Sequence, residues 1–128
     1  MTSSSLVLAA FVGLAGACGA LARYTIGRSI AERYGSQFPF GTLLINVTGA
    51  FLIGLVFAFA GRHFISTLLQ TILATGFLGG YTTFSTMTWE GVQLARGGST
   101  RSSLLYFGSN LLPGLLAAAL GLALGWWL

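Results

Sequence analysis

Gly79-Gly80-Tyr81-Thr82-Thr83-Phe84-Ser85-Thr86 is a cluster of glycines and hydroxyls inside an apolar run, residues 64–89, that contains no charged side chain. The run is long enough to span a bilayer, which needs about 20 predominantly apolar residues. Its centre disfavours a regular helix. Adjacent glycines are conformationally flexible, and the hydroxyls can hydrogen-bond backbone groups in place of their helical partners. Irregular backbone at membrane depth persists only where it is buried in protein or lines a polar cavity. The cluster therefore predicts a membrane helix broken near residues 79–83, with a tight helix-packing face as the alternative.

The composition indicates an integral membrane protein. Of the 128 residues, 55% are hydrophobic and 6% are charged, and six basic against two acidic residues give a net charge of +4. This balance is typical of membrane-spanning chains. The basic residues are single, scattered arginines, so they form no patch for nucleic acid, and contact with lipid headgroups at helix ends is their expected role.

Four uncharged stretches predict an all-α membrane protein with four transmembrane helices in a single domain, residues 1–128. We expect the helices at about residues 6–22, 42–61, 64–94 with the break near 79–83, and 102–128. Residues 23–37 are more polar and are expected to form a segment at the membrane interface. Arg62-His63 leaves a very short connection, so the second and third helices should form an antiparallel hairpin. Four short helices enclose little space, which indicates an oligomer.

Polar side chains within these helices favour a pathway for a small anion. Asn46 lies about one turn into the second helix, Tyr106 and Asn110 share a face of the fourth, and Phe84 and Met87 share a face after the break. Amides and hydroxyls are neutral donors, and aromatic rings present a positive edge. No acidic residue lies within a predicted membrane span, because Glu90 is at the end of the third helix. A cation pathway normally contains carboxylates. The simpler interpretations are that the asparagine joins helices and that the Phe–Met pair only packs.

Enzymatic functions find no support in the sequence. The single histidine, His63, has no carboxylate cluster or metal-ligand spacing beside it, and no serine has a nearby base. The lysine of a phosphate-binding loop is missing after Gly79-Gly80. Two membrane functions of other classes remain as alternatives. A small proton-coupled multidrug exporter would need a carboxylate embedded in the first helix, where this chain has none. A lipid-interacting or assembly protein without transport activity has no such requirement.

Several motifs in the same order resemble those of the Fluc (CrcB) family of fluoride channels. They are residues 79–86, Gly19-Ala20-Leu21-Ala22-Arg23-Tyr24 in the first helix, Gly41-Thr42-Leu43-Leu44-Ile45-Asn46 in the second, and Glu90. The resemblance covers the whole chain. It implies an antiparallel, dual-topology homodimer with two pores, which passively exports fluoride from the cytoplasm across the bacterial plasma (inner) membrane and is not an enzyme.

The resemblance also implies a pathway. The pore asparagine of the family matches Asn46, and the first of its two paired phenylalanines matches Phe84. The expected fluoride pathway comprises Asn46, Phe84, Ser85, Thr86, Met87, Tyr106 and Asn110. These side chains would replace the water that fluoride gives up, along a track too narrow for chloride.

Positive charge at two places would assist the anion, again by resemblance. Arg23 matches the arginine of the vestibule, where it would attract anions. A structural sodium ion at the dimer axis would be held by backbone carbonyls of Gly79 and Thr82, and it would add fixed charge at the helix break.

Two features depart from the family pattern. Met87 stands where the family usually has its second phenylalanine, and a thioether has no ring edge to offer an anion. The arginines are also unequally divided, since only Arg62 lies in the connection between the second and third helices. Chains that insert in both orientations should have little bias. A heterodimer with an oppositely oriented paralogue is therefore the alternative to the homodimer.

Overall fold

Three long helices dominate the computed structural model, which describes residues 2–35 and 37–128. They are α1 (Ser3–Tyr34), α2 (Phe40–Gly61) and α6 (Thr100–Trp127), and each is long and apolar enough to cross a membrane. All regular elements among the described residues are helical. The parts of the predicted domain and interfacial segment that fall on Met1 and Ser36 lie outside the described residues. The prediction of an all-α membrane protein is confirmed.

The remaining membrane helix is built from pieces. It contains α3 (Thr67–Gln70), a π-helix (Thr71–Leu78), α4 (Gly79–Tyr81) and, after two extended residues, α5 (Phe84–Arg96). The extended residues are Thr82 (φ −83°, ψ 157°) and Thr83 (φ −148°, ψ 117°), so the break lies inside the interval predicted for it. The π-helix was not predicted. Together with α1, α2 and α6, this broken helix gives four helical segments that cross the molecule.

The predicted end of the first helix at residue 22 is wrong. Helix α1 continues to Tyr34 and carries most of the polar segment that was expected to be separate. The charged part of the helix contains one i,i+4 ion pair, with Arg28 Nε 3.0 Å from Glu32 Oε1, which is compatible with helix and supports it by a few tenths of a kcal/mol. The helix ends at Gly35, whose φ of +80° favours glycine and whose N–H donates to the carbonyl of Ala31.

Helices α2 and α6 run parallel and pack through small residues. Gly54 lies against the backbone of Ala118, and Gly125 lies against Ala58. A Cβ atom at Gly121 would overlap the carbonyl oxygen of Phe51, so these backbones approach as closely as glycine allows. This contact fixes α6 beside α2 along most of the length of both helices.

Helix α1 packs in the same way against the broken helix. A Cβ atom at Gly19 would overlap the carbonyl oxygen of Phe77, and one at Gly80 would overlap that of Gly16. Ile45 of α2, with Leu78 and Tyr81 of the broken helix, forms the buried core between these elements. The break is therefore held between α1 on one side and α2 on the other.

Candidate functional site

The two halves of the broken helix end and begin with hydrogen bonds to threonines. The N–H and the hydroxyl of Thr82 both donate to the carbonyl of Leu78, at 3.0 and 2.9 Å, and close the first half. The hydroxyl of Thr83 accepts from the N–H of Thr86 at 3.1 Å and caps the second half. Thr82 therefore ends the first half of the helix, and the hydroxyl of Thr83 caps the start of the second half.

Asn46 bridges the break from α2. Its Oδ1 accepts from the N–H of Thr83 at 2.9 Å, and its Nδ2 donates to the carbonyl of Thr83 at 3.1 Å. Nδ2 also donates to Oδ1 of Asn110 at 3.0 Å, and Asn110 Nδ2 donates to the carbonyl of Tyr106 at 2.9 Å. Both amide N–H groups of Asn46 are therefore engaged, and α2, the break and α6 are tied together at one point.

A groove lies beside the break. This break groove has a volume of 350 Å³ and is lined by Asn46, Gly49, Ala50, Ile53, Ala74, Leu78, Gly79, Thr82, Thr83, Phe84 and Met87. Phe84 is 77% exposed in the single chain, and Met87 is half-buried. The predicted sharing of one face by Phe84 and Met87 agrees with their common place in this groove.

Arg23 reaches the break from α1. Its Nε donates to the carbonyl of Gly80 at 3.1 Å. That carbonyl lies in the last turn before the break, where helical partners are missing and a positive charge is favourable. The arginine thus stabilises the end of the first half-helix as well as adding charge near it.

A second cavity, of 310 Å³, surrounds this arginine. We call it the arginine cavity; it is lined by Arg23, Tyr24, Gly27, Arg28, Ala31, Gly35, Phe38, Pro39, Phe40, Gly41, Thr42, Ile45, Thr83, Thr86 and Glu90. Thr83 lines both this cavity and the break groove. The helix break is therefore the wall that the two spaces share.

Thr42 and Glu90 are functional candidates that the sequence analysis did not assign. The hydroxyl of Thr42 donates to Oε1 of Glu90 at 2.6 Å, and the hydroxyl of Tyr106 approaches the same oxygen at 3.4 Å. Glu90 lies one turn after Thr86 on the face that borders the arginine cavity. Glu90 is the first charged residue after a long uncharged run and lies four residues after Thr86, which is the sequence signal that could have identified it, whereas nothing in the sequence pairs it with Thr42.

The other predicted site residues take different places. Tyr106 is fully buried and Asn110 is 7% exposed, so both lie inside the chain and contact the site through Glu90 and Asn46. Thr86 lines the arginine cavity, and its hydroxyl accepts from that of Thr83 at 3.0 Å. Ser85 is exposed on the first turn of α5. The structure thus gathers the predicted residues around the break, on both of its sides.

Comparison with known proteins gives the family. Residues 10–122 match the family described as CrcB-like protein, Camphor Resistance (CrcB). The chain belongs to the CrcB family. A relative from Acidobacterium capsulatum named fluoride-specific ion channel FluC is 49% identical over 116 residues, which cover 90% of this chain and 93% of the relative. The resemblance predicted from the motifs is confirmed.

Other CrcB-family relatives carry the same kind of name. Fluoride-specific ion channel FluC 2 of Clostridium acetobutylicum is 44% identical, with 86% of this chain and 91% of the relative covered. Fluoride-specific ion channel FluC of Thermus thermophilus is 42% identical, with coverages of 89% and 90%. These relatives are named as ion channels, and the chain belongs to a family that is not enzymatic.

Proposed function

We propose that this CrcB-family chain is a fluoride-selective ion channel that passively exports fluoride from the cytoplasm across a bacterial plasma membrane. The observation that carries the proposal is the position of Thr83, which borders the arginine cavity on one side and the break groove on the other. An anion drawn into the first space would meet uncharged donors at the entrance to the second. The names of the relatives favour fluoride as that anion.

Attraction and selectivity would come from different parts of this path. Arg23 supplies positive potential in the arginine cavity, because the one ion pair among the described residues joins Arg28 to Glu32, and the Glu90 carboxylate that also lines the cavity accepts from Thr42 and Tyr106 rather than from Arg23. Beyond it, the hydroxyls of Ser85 and Thr86 and the ring edge of Phe84 would replace the hydration of the ion. Chloride is larger and less strongly hydrated, so a fixed set of close donors favours fluoride.

Asn46 acts in this proposal first by holding the break. Its two N–H groups are donated to Thr83 and Asn110, so the amide keeps the threonine hydroxyls at the boundary of the two spaces. Asn110 and Tyr106 extend the same support through α6, as buried groups that fix Asn46 and Glu90. The polar track would then be a positioned set of hydroxyls rather than a row of free amides.

A dimer would cover the break. In the single chain Gly79 and Phe84 are exposed beside the groove, and the carbonyls of Gly79 and Thr82 accept no hydrogen bond from any residue in the ranges 2–35 and 37–128. Unsatisfied backbone facing lipid costs several kcal/mol per group, so a protein surface should lie against it. We propose an antiparallel homodimer with two pores, in which a second copy lies on this face.

The same freed carbonyls suit a sodium ion. Carbonyl oxygens at an unwound segment are hard, neutral ligands of the kind that hold sodium in broken membrane helices. Gly79 and Thr82 would supply two such oxygens per chain, and an antiparallel copy would supply two more. When bound, the ion would add fixed positive charge close to the break groove and satisfy backbone groups that have no other partner.

Efflux from liposomes tests the proposal. Purified protein is reconstituted alone into vesicles loaded with potassium fluoride or potassium chloride, and a potassium ionophore starts the efflux, which an ion-selective electrode records. We expect rapid loss of fluoride and retention of chloride. Fluoride loss no faster than from protein-free vesicles would exclude a channel, and equal loss of both halides would exclude the selectivity.

A further inference from the structure

A larger groove lies on the side of α2 that is turned away from the helix break. This outer groove has a volume of 850 Å³ and shares no lining residue with the break groove. Leu44, which lines it, comes two residues before Asn46, so the two side chains lie about 160° apart around the axis of α2. The second copy proposed above lies on the side of Asn46, and the outer groove therefore faces lipid.

The walls of the outer groove change from polar to apolar along its length. Ser29, Ile30, Arg33 and Tyr34 form the wall from α1, and their i,i+4 spacings put them on one face of that helix. Arg33 and Tyr34 belong to its last turn, and both residue types are typical of membrane interfaces. The walls from α2 and α6 are apolar except for one serine, and they consist of Phe40, Leu43, Leu44, Val47, Ser109 and Pro113.

Arg33 brings a positive charge to the polar end of the outer groove. The one ion pair within residues 2–35 and 37–128 joins Arg28 to Glu32, so no carboxylate neutralises Arg33 by direct pairing. Arg96 and Arg101 lie at the same end of the molecule, at the end of α5 and the start of α6. Basic pockets between membrane helices bind the head groups of anionic lipids, and a guanidinium binds phosphate through two parallel hydrogen bonds.

We propose that the outer groove is a binding site for one anionic phospholipid per chain. The guanidinium of Arg33 and the hydroxyl of Tyr34 bind the phosphate, and an acyl chain lies between α2 and α6 along Leu44 and Val47. The charge of Arg33 selects a head group that is negative overall. The proposal does not depend on anion transport, because it requires only a chain embedded in a bilayer.

A lipid in the outer groove would also bear on the candidate site. Ser109 lies in its wall and precedes Asn110, whose Oδ1 accepts from Nδ2 of Asn46. Pro113 has no N–H for the carbonyl of Ser109, so α6 lacks one of its own hydrogen bonds at this wall. An acyl chain packed against this weaker turn should stabilise the folded protein, and the unfolding temperature therefore reports its binding.

Thermal unfolding of the purified protein in detergent tests the proposal. Phosphatidylglycerol and phosphatidylcholine with identical acyl chains are titrated in separate experiments, and native mass spectrometry counts the lipids retained per chain. We expect phosphatidylglycerol to raise the unfolding temperature by about 4 °C more than phosphatidylcholine does. One molecule of phosphatidylglycerol should be retained per chain.

Two variants of the outer groove and two matched controls locate the site. Arg33→Gln removes the charge that meets the head group, and Leu44→Trp fills the apolar part, so both should lose the response to phosphatidylglycerol. Arg96→Gln removes a charge at the same end of the molecule, and Leu120→Trp enlarges an exposed side chain in the distant half of α6. Neither control residue lines the outer groove, and both controls should respond like the parent. If Leu44→Trp does not fold, Arg33→Gln and its control decide.

Three results would overturn the lipid site. One is an equal response to the two lipids. Another is an equal loss of response in Arg33→Gln and Arg96→Gln, since a diffuse basic surface would then explain the binding. The third is dissociation of the dimer by Arg33→Gln and Leu44→Trp with an unchanged lipid response, which would assign the outer groove to a second copy. A protein that binds phosphatidylglycerol here and carries no fluoride would keep the lipid site and lose the channel function.

Discussion

Asn46 and Thr83 are joined by two hydrogen bonds, so that one side-chain amide satisfies both backbone groups of one residue. The N–H of Thr83 donates to Oδ1 at 2.9 Å and its carbonyl accepts from Nδ2 at 3.1 Å. The side-chain amide of Asn46 thus pairs with the N–H and carbonyl of Thr83 as a residue of a neighbouring β-strand would. This pairing explains how a helix can be interrupted at membrane depth at this residue, because each backbone group freed in lipid would otherwise cost several kcal/mol.

Asn46→Asp should abolish fluoride flux and lower the stability of the protein in detergent. A carboxylate keeps the acceptor for the N–H of Thr83 but places an oxygen against the carbonyl of Thr83 and Oδ1 of Asn110. Two donated hydrogen bonds are lost, at about 1–3 kcal/mol for each group left unpaired. Thermal unfolding in detergent and liposome efflux measure the two effects.

Gln93→Glu is the matched control for that variant. It makes the same amide-to-acid change at an exposed position of α5 that is away from the break. We expect flux and unfolding temperature close to those of the parent. Normal flux in Asn46→Asp would contradict the role given to the Asn46–Thr83 pair.

Arg23 has two separable functions, a charge and a hydrogen bond to the carbonyl of Gly80. Arg23→Gln should lower flux about tenfold at low ionic strength, because a focused positive potential raises the local anion concentration. The deficit should shrink as salt rises, since screening removes the advantage of the parent. Arg23→Lys keeps the charge and should retain most of the flux. Arg101→Gln, exposed at the start of α6, is the control, and an Arg23→Gln deficit independent of salt would argue against electrostatic attraction.

The break was predictable because its cause is local. Adjacent glycines followed by two β-branched threonines disfavour helix at any depth, and the capping hydroxyl of Thr83 is a sequence signal in its own right. The positions of Asn46, Phe84 and Met87 on helix faces follow from spacing alone, and the structure brings all three to one groove.

Features that depend on distant partners were not predictable. The contact of Arg23 with the carbonyl of Gly80 joins residues 57 apart, and no local pattern encodes it. The hydrogen bond of Thr42 with Glu90 joins residues 48 apart, and the π-helix at Thr71–Leu78 has no sequence signature that we can identify. Only the fold could show that the two N–H groups of Asn46 are already engaged.

Gly19→Ala should destabilise the protein far more than Gly13→Ala. A Cβ atom at Gly19 would overlap the backbone of Phe77, whereas one at Gly13 meets nothing within 4 Å. Both glycines lie on α1, so helix propensity changes equally and only the packing differs. Overpacking costs about 1–3 kcal/mol, or more when backbone must move. The measurement is the unfolding temperature in detergent, and equal values for the two variants would show that α1 does not pack as described.

Met87→Phe should increase fluoride flux. The break groove, at 350 Å³, has room for a ring one turn after Phe84, and a ring edge offers a positive surface where the thioether offers none. Met87→Leu is the control for shape, because it is apolar without a ring, and it should not increase flux. The measurement is the rate of fluoride efflux from liposomes at equal protein density for the parent and both variants. A flux in Met87→Phe that is unchanged or lower would contradict the ring-edge contribution.

Orientation in the membrane distinguishes the homodimer from the heterodimer. Gln37 and His63 lie just outside opposite ends of α2, so in a Cys18→Ala background Gln37→Cys and His63→Cys report the two sides of the membrane. An antiparallel homodimer requires both cysteines to react with an impermeant maleimide from outside the cell, each in about half of the chains. The distribution of arginines predicts a different result. The Gln37 end of the molecule holds Arg28, Arg33, Arg96 and Arg101, and by the positive-inside rule this end should face the cytoplasm. If only His63→Cys reacts from outside, the chains share one orientation, and the antiparallel partner must be a different protein.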